Sequence, residues 1–293
     1  MPLSWTVSEH GALSFSKSGD RLFFGTAPIP PPKDTSLIEI DLVKVDIWNY
    51  KDDYLQTQQL KNLDQELKRS YTAMYDFNKQ GMVQLADREV PQVALSKEGD
   101  GDRFLGISDV GHRVASQWEG ETLKDIYSIN ASDGARVLVK KDLSGMAMVS
   151  AQGRYIAWYD NRTRHYHTWD GRTTRDVSGK LPVKLFDEEF DMPDDPTPYG
   201  PVRWTSDDAN LLVYDRYDIW QLDPQCQRNP INVTGGEGRK TRNSYRYVQT
   251  DPEEYSLRPD QELILRRFDE VTKRSGWSGL RLDDPGAPVP KCF

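Results

Sequence analysis

Histidine and cysteine are scarce in this 293-residue chain, which has four of the first and two of the second. Cys226 and Cys292 could pair, but two distant cysteines without a spacing pattern read as free thiols. Positive charge is also in deficit: 38 Lys and Arg stand against 46 Asp and Glu, a net charge of -8. That disfavours a nucleic-acid partner, because phosphate backbones are bound through Lys and Arg clusters. No run of 18 apolar residues exists, so no membrane span is expected. The N-terminus, Met1-Pro2-Leu3-Ser4-Trp5, lacks the basic start and apolar run of a signal peptide, so either the protein is cytoplasmic or a leader has been removed. Only 37% of residues are hydrophobic. That points to many short elements and long surface loops rather than a thick core. The charges are spread along the chain and not gathered in tails, which argues against disorder. Three Asn-x-Ser/Thr triplets, at Asn130, Asn161 and Asn232, carry little weight, since such triplets are common by chance.

What is present is a repeat. An apolar pair, a Ser/Thr-x-x-Gly/Asp turn and an apolar strand recur. The copies are Leu13 to Phe24, Val93 to Leu105, Met148 to Trp158, Val202 to Tyr214 and Tyr255 to Leu265. The first apolar residues after the turns are Leu22, Phe104, Tyr155, Leu211 and Leu263, at steps of 82, 51, 56 and 52. The long first step predicts an insertion. Tyr54 to Arg69 supplies it, with Leu60, Leu63 and Leu67 at helical spacing and no Gly or Pro; this predicts an amphipathic helix of about four turns capped by Asp52 or Asp53.

Each copy has a second half. Asp46-Ile47-Trp48, Asp125-Ile126-Tyr127 and Asp218-Ile219-Trp220 share an Asp-Ile-aromatic core, and residues 164–169 and 276–282 stand at the matching places. A last strand follows at 82–85, 135–139, 175–177 and 231–233. Short antiparallel strands in fours, repeated about every 50 residues, are the signature of a β-propeller, whose small sheets bury their faces only by stacking. The expected fold is therefore all-β. It is a propeller or partial propeller of about five four-stranded blades (roughly 10–88, 90–141, 145–178, 199–235 and 246–284) in one domain, 1–293, with a helical insertion near 54–69. Pro288 to Phe293 shows no obvious closing strand, so a partial propeller cut from something longer is the favoured form. Trp204, Tyr214 and Trp220 read as inter-blade packing.

These residues resemble a known family. The Ser-x-x-Gly-Asp turn and the Asp-Ile-Trp strand are similar to TolB-type and prolyl-oligopeptidase-type blades. Val45-Asp46-Ile47-Trp48-Asn49-Tyr50-Lys51-Asp52 with the helix from Gln59, Tyr199 to Trp204, and Tyr214 to Trp220 resemble the N-terminal propeller of large peptidase-like (dipeptidyl-peptidase-type) serine hydrolases from Bacteroidetes. The resemblance covers about residues 10–282. It implies a propeller that caps and gates a C-terminal α/β-hydrolase domain of the same polypeptide, which carries a Ser-Asp-His triad and acts on peptides in the periplasm or outside the cell. That domain is not in this sequence. The alternative is a self-standing TolB-like propeller that binds a protein or peptide.

Candidates for chemistry are few. Gly276-Trp277-Ser278-Gly279-Leu280 fails as a nucleophile elbow at its fifth position and lies in a strand repeat, so no catalytic residue is expected here. His165 and His167 alternate on one strand face and are the candidate metal ligands, though no Cys or third His supports them; no cofactor is expected. A propeller carbohydrate enzyme would use them or an acidic cluster. The acidic run Phe186 to Pro196 could hold Ca²⁺ but lacks the regularity of a calcium loop, and reads better as an inter-blade loop. Asp46, Asp125 and Asp218 recur, which points to turn hydrogen bonds and not to catalysis. Pro28 to Pro32 reads as a rigid extended loop. Arg203 and Arg216 do not recur between copies and are the binding candidates.

Overall fold

A computed structural model describes residues 2, 4–32, 36 and 45–291. Cys292 lies outside them, so the question of its pairing with Cys226 does too. Five antiparallel sheets follow one another along the chain. The first holds β1 (Trp5–Val7), β2 (Ser14–Phe15), β3 (Arg21–Pro28), β4 (Tyr71–Asp76) and β5 (Gly81–Gln84). Here β1 and β2 pair with successive stretches of β3, as two pieces of one outer strand. The break falls where Gly11 crosses Gly25: a Cβ on Gly11 would sit 2.4 Å from the Gly25 Cα, so only glycine fits. The second sheet holds β6 (Gln92–Ala94), β7 (Arg103–Ser108), β8 (Lys124–Asn130) and β9 (Arg136–Leu143). The third holds β10 (Gly145–Val149), β11 (Ile156–Asp160), β12 (His165–Trp169) and β13 (Thr174–Asp176). The fourth holds β14 (Pro201–Trp204), β15 (Leu211–Tyr214), β16 (Ile219–Leu222) and β17 (Ile231–Asn232). The fifth holds β18 (Asn243–Tyr247), β19 (Glu262–Asp269), β20 (Ser275–Arg281) and β21 (Asp284–Lys291). Among the described residues three short α-helices interrupt them: α1 (Gln56–Leu67), α2 (Arg113–Glu119) and α3 (Glu237–Thr241). Five four-stranded meanders in chain order make a propeller-like fold. No helix of the described residues is long and apolar enough to cross a membrane.

The repeated turn is built alike in three of the copies, at Ser16, Ser150 and Thr205; in the second copy Gly99 N–H reaches the Ser96 carbonyl (2.9 Å), but the buried Ser96 hydroxyl has no hydrogen-bond partner among the described residues. Ser16 N–H donates to the Arg21 carbonyl (2.9 Å) and Gly19 N–H to the Ser16 carbonyl (2.9 Å), while Arg21 N–H reaches Ser16 Oγ (3.2 Å). Ser150 does the same with Tyr155 and Gly153, and its hydroxyl accepts from Tyr155 N–H at 2.9 Å. Thr205 N–H donates to the Asn210 carbonyl and the Thr205 hydroxyl accepts from the Asn210 N–H, both at 2.9 Å. A side-chain oxygen that closes its own tight turn explains the Ser or Thr that opens those three copies.

The chain divides into two compact units, Met1–Ala94 with Gly106–Leu143, and Leu95–Leu105 with Ser144–Phe293. In the second unit the alternation of strands is legible in the packing. Leu211 and Val213 of β15 join a cluster with Tyr155, Tyr159, Tyr166 and Trp204 from the third sheet and β14. Leu212, between them, joins Ile219, Tyr245, Leu263 and Leu265 on the other side. One strand thus buries both faces, each against a neighbouring sheet. Trp204 and Trp220 belong to the first cluster and Tyr214 to the second, which is the packing role expected of them.

Several expectations are corrected. Asp46-Ile47-Trp48 is not a strand; Val45 to Asn49 carry no regular structure, and the third strand of the first sheet is Tyr71–Asp76, whose partner is β3 from Arg21↔Asp76 to Thr26↔Tyr71. The insertion accordingly runs from the end of β3 to Tyr71. Helix α1 lies inside it but is shorter than expected. Its N-cap is Leu55 without a side-chain cap bond, not Asp52 or Asp53. Its leucine stripe is not buried: Leu60, Leu63 and Leu67 are 52%, 48% and 73% exposed. The closing strand of the fifth sheet exists as β21 despite Pro285, Pro288 and Pro290; it is an edge strand, where a missing N–H leaves no partner unsatisfied. Residues 29–32 have no regular structure after Pro28 ends β3.

Candidate functional site

Arg216 sits on the turn between β15 and β16. That turn is made by Asp215, fully buried, whose Oδ1 accepts from the N–H groups of Tyr217 and Asp218 at 2.6 Å each. Its Oδ2 takes the Trp220 indole N–H at 3.0 Å. The turn leaves Arg216 part-exposed beside the buried Tyr217. Asp218, also buried, turns the other way. It accepts from Thr234 Oγ1 (2.7 Å), Gly238 N–H (2.9 Å) and Arg239 N–H (3.0 Å), which fixes α3 and with it the Arg239 side chain. Gly238 is needed there, since a Cβ would lie 2.6 Å from Asp218 Oδ1. Burial raises the Asp218 carboxyl pKa, with the Asp215 charge adding to it, against the lowering pull of these donors.

The result is a layered charged face. The Tyr217 ring has the Arg216 guanidinium 5.1 Å and the Arg239 guanidinium 5.3 Å from its centroid. Arg216 is 2.8 Å from Glu270, which also accepts the Tyr217 hydroxyl at 2.9 Å. Arg239 is 3.5 Å from Asp215. The acidic run supplies two more partners: Glu189 is 2.7 Å from Arg216 and Glu188 is 2.7 Å from Arg239. The Glu188 N–H donates to the Tyr199 hydroxyl (3.0 Å). The Glu270 hydrogen bond comes first in raising the Arg216 pKa, and although burial pushes the Glu270 carboxyl up, Arg216 and Tyr217 hold it below its ordinary value. Beneath lies Arg246, which donates to the Arg216 carbonyl (2.9 Å) and whose pKa is lowered by burial.

The other sequence candidates have separate surroundings. Arg203 donates to the Glu254 carbonyl and to Gln249 Oε1 (2.6 Å), and it borders a cleft of about 290 Å³ that Trp204 and Tyr255 also line. His165 Nδ1 is 2.7 Å from Asp176. His167 stacks on Trp158 at 5.4 Å, with Nε2 3.2 Å from Thr163 Oγ1. Ser278 is fully buried in β20, so the near-elbow motif is strand interior. Asp46 is exposed and holds only Gln56 (2.9 Å) among its hydrogen bonds given by the described residues. Asp125 accepts the Asp142 N–H (2.9 Å) and lies 3.1 Å from His112 Nε2.

Sequence reasoning missed two groupings. His112, Asp125 and Asp142 bring three potential metal ligands within 4.8 Å of one another, and their contacts are equally those of a histidine hydrogen-bonded to carboxylates. The second is the set Glu188, Glu189, Tyr217, Arg239 and Glu270 around Arg216. Its signal was the lack of recurrence that singled out Arg216, together with the acidic run.

No family model matches the chain, and no curated protein matches it. Solved structures do. A prolyl endopeptidase, from a study of two such enzymes and their inter-domain dynamics, aligns over 98% of this chain and 35% of its own, at 11% identity and TM-score 0.47. Prolyl oligopeptidase B from Galerina marginata, bound to a 35mer substrate, aligns over 99% and 36%, at 9% identity and TM-score 0.44. TolB from Acinetobacter baumannii aligns over 96% and 57%, at 9% identity and TM-score 0.34. The chain thus spans about a third of the peptidases' length and little over half of TolB's. At such identities and TM-scores these likenesses carry no argument about function; the propeller-like fold stands on the five sheets.

Proposed function

We propose that this chain is a non-catalytic propeller segment of an exported, prolyl-oligopeptidase-like hydrolase, which handles a peptide and gates its access to an α/β-hydrolase domain of the same polypeptide. The observation that carries the reading is the contrast between recurring and non-recurring residues. Among the recurring residues, Ser16, Ser150 and Thr205 close their own turns and Asp125 and Asp218 accept backbone N–H groups. The residues that do not recur, Arg216, Tyr217 and Arg239, gather into one guanidinium–tyrosine face. Such a face suits the carboxylates, carbonyls and rings of a peptide. The Thr163 hydroxyl lies beside His167, but in the turn closing β11 to β12, with the Asp160 carbonyl 3.4 Å away, which is no activated nucleophile.

Labelling by a serine-directed fluorophosphonate tests it. This chain should stay unlabelled, and a polypeptide continuing past Phe293 should be labelled. A coding sequence that stops at Phe293 would instead favour the self-standing partner-binding propeller.

A further inference from the structure

The acidic loop, residues 186–198, holds six carboxylates and no cation of its own. Its base is closed by the Phe186↔Pro198 bridge, by Asp187 N–H to the Thr197 carbonyl and by Tyr199 N–H to the Leu185 carbonyl, both 2.9 Å. The loop's carboxylates are met by arginines from elsewhere: Arg239 at Glu188, Arg216 at Glu189 and, at 3.9 Å, Arg164 at Asp195. Each of the first two guanidinium groups has one carboxylate from the blade framework and one from the loop. Arg216 has Glu270 and Glu189; Arg239 has Asp215 and Glu188.

We propose that Arg216 and Arg239, with the Tyr217 ring between them, form a recognition site for an acidic peptide segment bearing two consecutive carboxylates, and that loop 186–198 is its intramolecular occupant, displaced when such a segment binds. The loop is the template for the ligand. Glu188 and Glu189 are adjacent in sequence and each engages a different guanidinium, so consecutive acidic residues span the site. The framework carboxylates, Glu270 and Asp215, orient the arginines and stay behind when the loop leaves. At Arg216 the loop partner is the solvent-side member, with Glu189 71% and Arg216 19% exposed, whereas at Arg239 the loop acid Glu188 is the more buried, at 23% against 38%. The Arg216–Glu189 pair, with its acid exposed, is weak and salt-screened, so the loop is exchangeable from that end. Without the two loop carboxylates, Arg216 keeps Glu270 and Arg239 keeps Asp215 as partners. The site rests on the peptide-handling reading only for the claim that its natural ligand is a polypeptide.

The test is fluorescence anisotropy with a labelled synthetic peptide copying residues 186–191. It should bind the Glu188→Gln/Glu189→Gln variant at least tenfold more tightly than the wild type, more weakly as salt rises. Adding Arg239→Ala to that variant should remove the gain. A peptide with both glutamates replaced by glutamine should not bind, a control that needs no further protein variant should Arg239→Ala fold poorly. Equal binding to wild type and double variant, or equal binding of the glutamine peptide, overturns the proposal. Binding is read on this chain alone, so its failure is separate from any fluorophosphonate result.

Discussion

Tyr159 and Tyr166 are fully buried, meet edge to face at 5.0 Å, and their hydroxyls have no hydrogen-bond partner among the described residues. A buried unsatisfied hydroxyl is a cost, so Tyr166→Phe should leave stability unchanged or raise it by about 1 kcal/mol, measured by urea unfolding. Burial also pushes the Tyr159 hydroxyl pKa up to about 12. The folded chain then keeps a proton that the unfolded chain releases near pH 10, so this contribution to stability is intact below about pH 10 and lost as pH rises towards 12. Tyr159→Phe should flatten that part of the alkaline melting profile. Asp170 works at the other end. Burial raises its carboxyl, but the Thr173 N–H (2.8 Å), the Arg175 guanidinium (2.6 Å) and the Arg172 N–H (2.9 Å) outweigh it and hold the pKa down to about 2. Its stabilisation is present above about pH 4 and lost as pH falls towards 2, and Asp170→Asn should remove that acid-side slope in Tm.

Between elements, Asp208 is the clearest join. It is 1% exposed and accepts from Ser150 Oγ (2.6 Å), Gln152 N–H (3.1 Å) and Arg154 N–H (3.2 Å), tying the turn after β10 to the turn after β14. Asp208→Ala strands those donors and should cost about 2–4 kcal/mol in chemical unfolding. The leucines of α1 are the opposite case. Because Leu60, Leu63 and Leu67 are exposed, changing each to Gln should cost less than about 0.5 kcal/mol, whereas a core helix would lose several times that. These two cases mark what could be read beforehand. The hairpin turns were legible because Ser16, Ser150 and Thr205 act within a few residues of themselves. The role of Asp46-Ile47-Trp48 was not, because the triplet is local while the partner of β3 is chosen by long-range pairing, and Tyr71–Asp76 wins it. Periodicity likewise foretold a helical insertion but not which way its leucines would face.

At the scale of the molecule, the step of about 50 residues was legible because each blade must bury both faces against like neighbours. The candidate site was half legible. Arg216 stood out by failing to recur, but Arg239 meets Glu188 across 51 positions, a contact that no local pattern announces. The central claim is that this chain gates a chemistry it does not perform. Fluorophosphonate labelling tests it most directly: this chain should remain unlabelled while a polypeptide that continues past Phe293 reacts, and covalent labelling of this chain itself would contradict the account.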